Sequence, residues 1–208
     1  MAEHQAAPAA TDRADAAARL RRDVAAFFDP RRWRTPLPRF EHSGYALIEQ
    51  VRAWQPRFVV DVGCGDNLFK GRIPNLIGID LINPAADLVC DLLDAPIRPE
   101  SIDVVLALGC INFGTQDVIE RQLQCVASWL APAGRIIMRA NPGLPTGPGL
   151  AFFTWAPTNV DTIGSTAGLR REGPIRYDTY RNSRGDDEPR LVWQYRPAAA
   201  VTTPAANP

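Results

Sequence analysis

An acid, two glycines and an asparagine stand at alternate positions, Asp61, Gly63, Gly65 and Asn67, directly behind the apolar run Phe58-Val59-Val60. A β-branched run that closes on Gly-x-Gly reads as a buried parallel strand feeding a tight turn. Glycine serves there because, lacking a Cβ, it accepts positive φ and lets a nucleotide pack against bare main chain. The spacing separates two ligand classes. A dinucleotide fingerprint requires Gly-x-Gly-x-x-Gly, and its third glycine falls on Leu68. An oxidoreductase using a nicotinamide dinucleotide is therefore the alternative that this loop disfavours. Asn67 is a mild replacement for a third special residue, since asparagine visits left-handed backbone more readily than other side chains. A second apolar run, Leu76-Ile77-Gly78-Ile79, ends in Asp80, nineteen positions after Asp61. A carboxylate at such a strand tip can accept ribose hydroxyls.

The segment Asp61-Val62-Gly63-Cys64-Gly65-Asp66-Asn67 resembles the first motif of class I S-adenosylmethionine-dependent methyltransferases. The resemblance spans about residues 40 to 196 and implies a doubly wound α/β fold. Its sheet is mostly parallel and seven-stranded, with helices on both faces. It implies S-adenosyl-L-methionine as cofactor, held by Asp61, Gly63, Cys64, Gly65 and Asn67 at the turn and by Asp80 and Leu81 at the ribose. Asp91, preferred to Asp94, and Leu92 belong at the adenine, and Leu108 ends the strand that reaches the methyl-transfer centre.

The elements that must position these residues follow in order. Ile102–Leu108 is a fourth strand, after a short third at Leu88-Val89-Cys90. Thr115 caps a helix whose Ile119, Leu123, Val126 and Leu130 share one face. Ala131-Pro132-Ala133-Gly134 ends that helix and leads into a fifth strand. Thr158 to Leu169 is a short helix with Thr158 as cap and Asp161 in its first turn. Pro174 to Asn182 and Pro189 to Arg196 are two strands around the polar turn Ser183 to Glu188, one inserted antiparallel as the resemblance requires. Between Gly65 and Leu76, Gly71 and Pro74 leave room for only one or two helical turns after Asn67. The expected boundaries are a tail at 1–10, N-terminal helices packing on the core at 11–57, a methyltransferase domain at 58–196 and a tail at 197–208.

Methyl transfer from a sulfonium is an in-line displacement of an already activated group, so alignment and desolvation dominate. An oxygen or nitrogen acceptor can still call for a base. His42, Tyr45, Asn112, Arg139 and Asn141 are the candidates by placement, and each has an equally good structural use. The stretch Gly109 to Gly114 matches neither the Pro-Pro-aromatic signature of DNA amino methyltransferases nor the Pro-Cys of cytosine-carbon enzymes. Asn141 to Pro157, with Phe152, Phe153 and Trp155, is too short for a cap domain and suits a lid over the acceptor. A small molecule or a peptide side chain is the leading substrate class. A non-catalytic nucleotide-binding protein with the same fold is the further alternative.

Composition fits one compact enzyme domain. The 208 residues are 46% hydrophobic, and 23 basic residues balance 23 acidic ones, so no net charge points to nucleic acid. The arginines at 19, 21, 22, 31, 32 and 34 read as the solvated side of a helix whose Leu20, Val24, Phe27 and Phe28 face inward. Cys64, Cys90, Cys110 and Cys125 lack the spacing of a metal site and read as reduced thiols in the cytoplasm. Residues 1–10 lack the basic start and apolar middle of a signal peptide, and no run is long enough to span a bilayer.

Overall fold

The computed structural model describes residues 10–29, 31, 43–142, 150–181 and 187–198. Seven strands form one sheet in the order β3-β2-β1-β4-β5-β7-β6. They are β1 (Val59–Val62), β2 (Leu76–Asp80), β3 (Leu88–Val89), β4 (Ile102–Leu108), β5 (Leu130–Ala140), β6 (Leu169–Arg181) and β7 (Asp187–Pro197). The first five are parallel, and β7 runs antiparallel to both β5 and β6. The helices are α1 (Ala10–Phe27), α2 (Ala46–Ala53), α3 (Gln116–Trp129) and α4 (Pro157–Thr166).

Both faces of the sheet are covered, which is why β1 is buried along its whole length. Strand residues alternate between the two sides. Val60, Val62, Val105, Ala107, Ile136 and Met138 join the cluster that buries Ile119, Leu123 and Val126 of α3 and Val160 and Ile163 of α4. Val59, Val104, Leu106 and Ile137 join the cluster that buries Leu47, Ile48 and Val51 of α2. On the α4 side, a Cβ on Gly164 would stand 2.5 Å from the Tyr195 ring. The Tyr195 hydroxyl donates to the Val160 carbonyl at 2.6 Å.

Several local expectations are corrected. No helix forms between Gly63 and Leu76, where turns replace the one or two helical turns anticipated. Asn67, Gly71 and Asn75 all take positive φ there, which a helix cannot accommodate. Buried Phe69 and Ile73 contribute the apolar contact that a helix would have supplied. α4 starts at Pro157 rather than Thr158, because proline at the first helical position loses no hydrogen bond. Asn159 Oδ1, not Thr158, accepts the Ala156 amide at 3.0 Å. Thr115 is the N-cap residue of α3 but makes no capping bond, and its hydroxyl meets the Asp117 carboxylate instead.

The stretch 131–134 is not a free connection. Leu130 already pairs with Ile102, and the register shifts before Arg135 meets Val104, so proline and glycine lie in an irregular start of β5. β6 and β7 are longer than expected. Their expected turn, 183–188, lies outside the described residues except where β7 begins at Asp187. The expected tails also lie outside, apart from Ala10 in α1, Pro197 in β7 and Ala198. Among the described residues no helix is long and apolar enough to cross a membrane.

Candidate functional site

Strand order reverses beside β1, whose neighbours are β2 and β4. In open α/β sheets this switch point opens a crevice at the strands' carboxyl ends. The turn after β1 lies there, with φ of 67° at Gly63, 52° at Gly65 and 54° at Asn67. Gly63 is required by crowding, since its Cβ would stand 2.3 Å from that of Cys110 at the end of β4. Gly65 is not crowded: a Cβ there would meet nothing within 4 Å, and the same holds at Gly109. Bare backbone borders open space at both places, a cradle that a ligand can use.

Asp80 closes onto this turn. Its Oδ2 accepts the Gly65 amide at 3.0 Å, while Oδ1 accepts the amides of Ile82 at 3.0 Å and Asn83 at 2.9 Å. A carboxylate offers about four acceptor positions. With three taken, Asp80 has room for one hydroxyl as arranged, and a second needs the Gly65 amide to let go. Leu81 follows, half-buried.

Asn67 serves the turn rather than facing a ligand. Its Nδ2 donates to the Ala85 carbonyl at 3.0 Å and to Asp87 Oδ2 at 3.3 Å. Its Oδ1 lies where a Cβ on Gly78 would be 2.4 Å away, and Cys64 Sγ would be 2.8 Å away. Glycine at 78 thus makes room for the turn to lie on β2. Asp87 also accepts from Lys70 Nζ at 2.7 Å and from the Gly78 amide at 2.8 Å. Desolvation opposes its ionisation, but these bonds prevail and hold its carboxyl below the usual carboxylate range.

Asp61 is 3% exposed. Burial pushes its pKa up to about 8; the Arg139 guanidinium pulls down, and Asp80 pushes up. Burial thus favours the neutral carboxyl, whereas a cation beside it favours the carboxylate. Arg139, at the end of β5, also reaches the Leu108 carbonyl at 3.5 Å. Cys64, beside the turn, has its thiol pushed up to about 12 by burial, with Asp61, Asp80 and Asp87 adding to it. Burial and Asp61 likewise push the Cys110 thiol far up, so neither is a thiolate nucleophile.

At the expected adenine position, Asp91 Oδ1 accepts the Leu93 amide at 2.8 Å, and Arg21 of α1 lies 2.6 Å from Oδ2. Arg21 also approaches Asp94 at 3.3 Å. Leu92 is buried beside them. Helix α1 thus reaches from the β3 end of the site to the loop after β4. There Leu20 sits 2.7 Å from where a Cβ on Gly114 would be. Phe28 meets Phe113 at 5.6 Å, and Phe27 meets Phe152 at 6.2 Å, ring centre to ring centre. Leu20 and Phe28 pack inward as expected, but Phe27 remains 36% exposed. Of the other arginines, 32 and 34 lie outside the described residues.

The loop after β4 is clasped by residues 151–155. The Gly114 amide donates to Ala151 at 2.7 Å, and the Phe153 amide to the Asn112 carbonyl at 2.9 Å. Trp155 Nε1 donates to the Ile111 carbonyl at 2.9 Å. Asn112 is 2% exposed, and its Oδ1 has no hydrogen-bond partner among the described residues. An unsatisfied buried amide oxygen costs about 1 to 3 kcal/mol.

The base candidates separate. Tyr45 packs against Phe69 and beneath the Arg72 guanidinium, among residues of the β1–β2 connection, and not at the cradle. Asn141 follows β5 beside Pro142, which bridges to Trp155. His42 lies outside the described residues. Arg139 and Asn112 remain beside the site, the first as a counter-charge to Asp61. The sequence reading missed Asp87 and Arg21 as site-shaping residues. Neither carries a local signal, since both act across elements. Clefts of about 280 and 270 Å³ lie elsewhere, one at the start of β2 and one beside Glu172 and Trp193. Among the described residues no cluster of His, Cys, Asp or Glu is suited to a metal.

This sheet order, with its single antiparallel insertion and a glycine turn at the switch point, is the fold of class I S-adenosylmethionine-dependent methyltransferases. Solved structures with that fold superpose on the chain. The Burkholderia thailandensis 1,6-didemethyltoxoflavin-N1-methyltransferase, with 1,6-didemethyltoxoflavin and S-adenosylhomocysteine bound, is 16% identical, covers 93% of each chain and gives a TM-score of 0.68. A Haloferax volcanii protein solved with a methyltransferase activator is 15% identical over 88% of this chain and 95% of its own, at 0.57. An S-adenosylmethionine-dependent methyltransferase from Clostridium acetobutylicum is 12% identical over 85% of this chain and 98% of its own, at 0.55. No protein-family profile and no curated protein sequence matches the chain.

Proposed function

We propose that this protein is an S-adenosylmethionine-dependent methyltransferase acting on a small organic molecule or a peptide side chain. One observation carries the reading: at the switch point, the Gly65 amide and the Asp80 carboxylate meet beside backbone that borders open space. The fold neighbour with bound S-adenosylhomocysteine supports the same cofactor. A pyrophosphate needs a helix N-terminus behind its glycine turn, and no helix follows this one, so a dinucleotide is the poorer fit.

The cofactor supplies a methyl group activated by sulfonium charge. The chain's own residues do the holding. Gly63, Cys64, Gly65 and Asn67 shape the turn, Asp80 and Leu81 take the ribose, and Asp91 and Leu92 take the adenine. Asp61 provides the counter-charge as it ionises, and Leu108 marks the end of the strand leading to the acceptor. No base is assigned; alignment and water exclusion are the main requirements. The catalytic domain is 58–196, with the helices of 11–57 packed on it. Four thiols without a disulfide support work in the cytoplasm.

Calorimetry with S-adenosylmethionine and S-adenosylhomocysteine, repeated on Asp80→Ala, tests the reading. Binding that the substitution abolishes supports it. Binding of a nicotinamide dinucleotide instead, or of neither adenosyl compound, overturns it. Adenosyl binding with no methylated product across a broad panel of acceptors indicates a non-catalytic binding protein.

A further inference from the structure

We infer that the methyl acceptor is an uncharged, planar ring compound seated where α1 meets the loop after β4, with the Asn112 amide as its polar anchor. The inference rests on the methyltransferase reading above and narrows its substrate class.

Three observations converge on it. The first is position. Cys110 abuts Gly63 of the glycine turn, and Asn112 follows two residues later, so this loop adjoins the cradle. The second is the character of the wall. Phe27, Phe28, Phe113 and Phe152 stand edge to face, with centroids 4.8 to 6.2 Å apart. Aromatic rings in this geometry accept another ring in the same offset or edge-to-face manner. Leu20 and Val118 extend the patch beside Gly114, and none of these six side chains carries a charge. A lysine or arginine side chain, or a phosphate backbone, finds no counter-charge among them. The third is the orphaned amide oxygen of Asn112, buried immediately before Phe113. Buried polar atoms are nearly always paired, and a ring hydroxyl or ring N–H supplies the missing donor. Phe27, still 36% exposed, stands at the edge of the patch, where a ring can enter beside α1.

The test uses the full chain and begins with S-adenosylhomocysteine calorimetry, which decides the cofactor separately. Methyl transfer from radiolabelled S-adenosylmethionine is then measured on hydroxy- and amino-substituted bicyclic heteroaromatics. The comparison acceptors are aliphatic amines and alcohols, lysine- and arginine-containing peptides, and a short RNA. The expected result is turnover on ring acceptors alone. Phe27→Ala then lowers kcat/KM about 3- to 10-fold, and Phe27→Trp restores it. Asn112→Leu lowers kcat/KM at least about 10-fold, with S-adenosylhomocysteine affinity unchanged and no fall in melting temperature. Adenosyl binding with a peptide, RNA or aliphatic acceptor preferred, or with no ring methylated, overturns the inference and leaves the cofactor reading intact. Unchanged kcat/KM in both Phe27→Ala and Asn112→Leu also overturns it. Absence of adenosyl binding removes the methyltransferase reading itself.

Discussion

The Gly65 amide donates to Asp80 Oδ2 at 3.0 Å, so the tip of β2 holds the turn after β1 in place. Asp80 has two tasks, shaping the turn and presenting a carboxylate. Asp80→Ala leaves the amides of Gly65, Ile82 and Asn83 without their acceptor, at a cost of about 1 to 3 kcal/mol in stability. Adenosyl affinity falls by more than that stability loss explains. Asp80→Asn keeps one oxygen and recovers part of the stability. Thermal denaturation beside calorimetry on both variants separates the two tasks, and equal affinity in all three proteins rejects the ribose role.

Asn67 and Gly78 form a second coupled pair, because the asparagine side chain fills the space above the glycine. Gly78→Ala overpacks this contact, and about 1 to 3 kcal/mol is lost. Asn67→Gly keeps the positive φ but removes Oδ1 and the bonds to Ala85 and Asp87. Each single variant is destabilised, and the double variant less than their sum. Additive losses in denaturant unfolding show that Cys64, also within reach of that Cβ, sets the limit instead.

Asp61 makes stability and binding depend on pH in opposite directions. Burial raises its folded-state pKa to about 8, from 3.8. Between these values the folded chain keeps a proton that the unfolded chain releases. The contribution to stability is therefore fullest at low pH and declines as pH rises toward about 8. Asp61→Asn flattens that decline in thermal melts. A cationic ligand beside Asp61 favours the carboxylate, so binding near pH 7 releases a proton. Calorimetry in buffers of different ionisation enthalpy measures that release, and its persistence in Asp61→Asn assigns it elsewhere.

Trp155 ties the 151–155 segment to the loop after β4 through the Ile111 carbonyl. Trp155→Phe removes that bond and leaves a buried acceptor unpaired, costing about 1 to 3 kcal/mol. Adenosyl affinity stays unchanged, because the segment clasps the β4 loop and not the glycine turn. The acceptor KM rises. A parallel loss of adenosyl affinity places Trp155 in support of the cofactor instead.

The amino-acid sequence by itself determined β1, β2, β4 and the two acid-tipped turns. Those signals are local: β-branched runs of four to seven residues, glycines where φ is positive, acids at strand ends. It also showed that the first crossover is too broken for a full helix, though not that helix is absent altogether. Only the tertiary structure decided that Asn67 lies over Gly78, that Arg21 meets Asp91 seventy positions away, and that Phe28 and Phe113 share one patch. Tyr45 and Asn112 looked equivalent as base candidates until the fold put one against the β1–β2 connection and the other beside the cradle. A side chain's chemistry is written in its residue type, but its partner depends on how strands stack and helices cross. Those contacts join residues far apart in the chain, and no spacing rule encodes them.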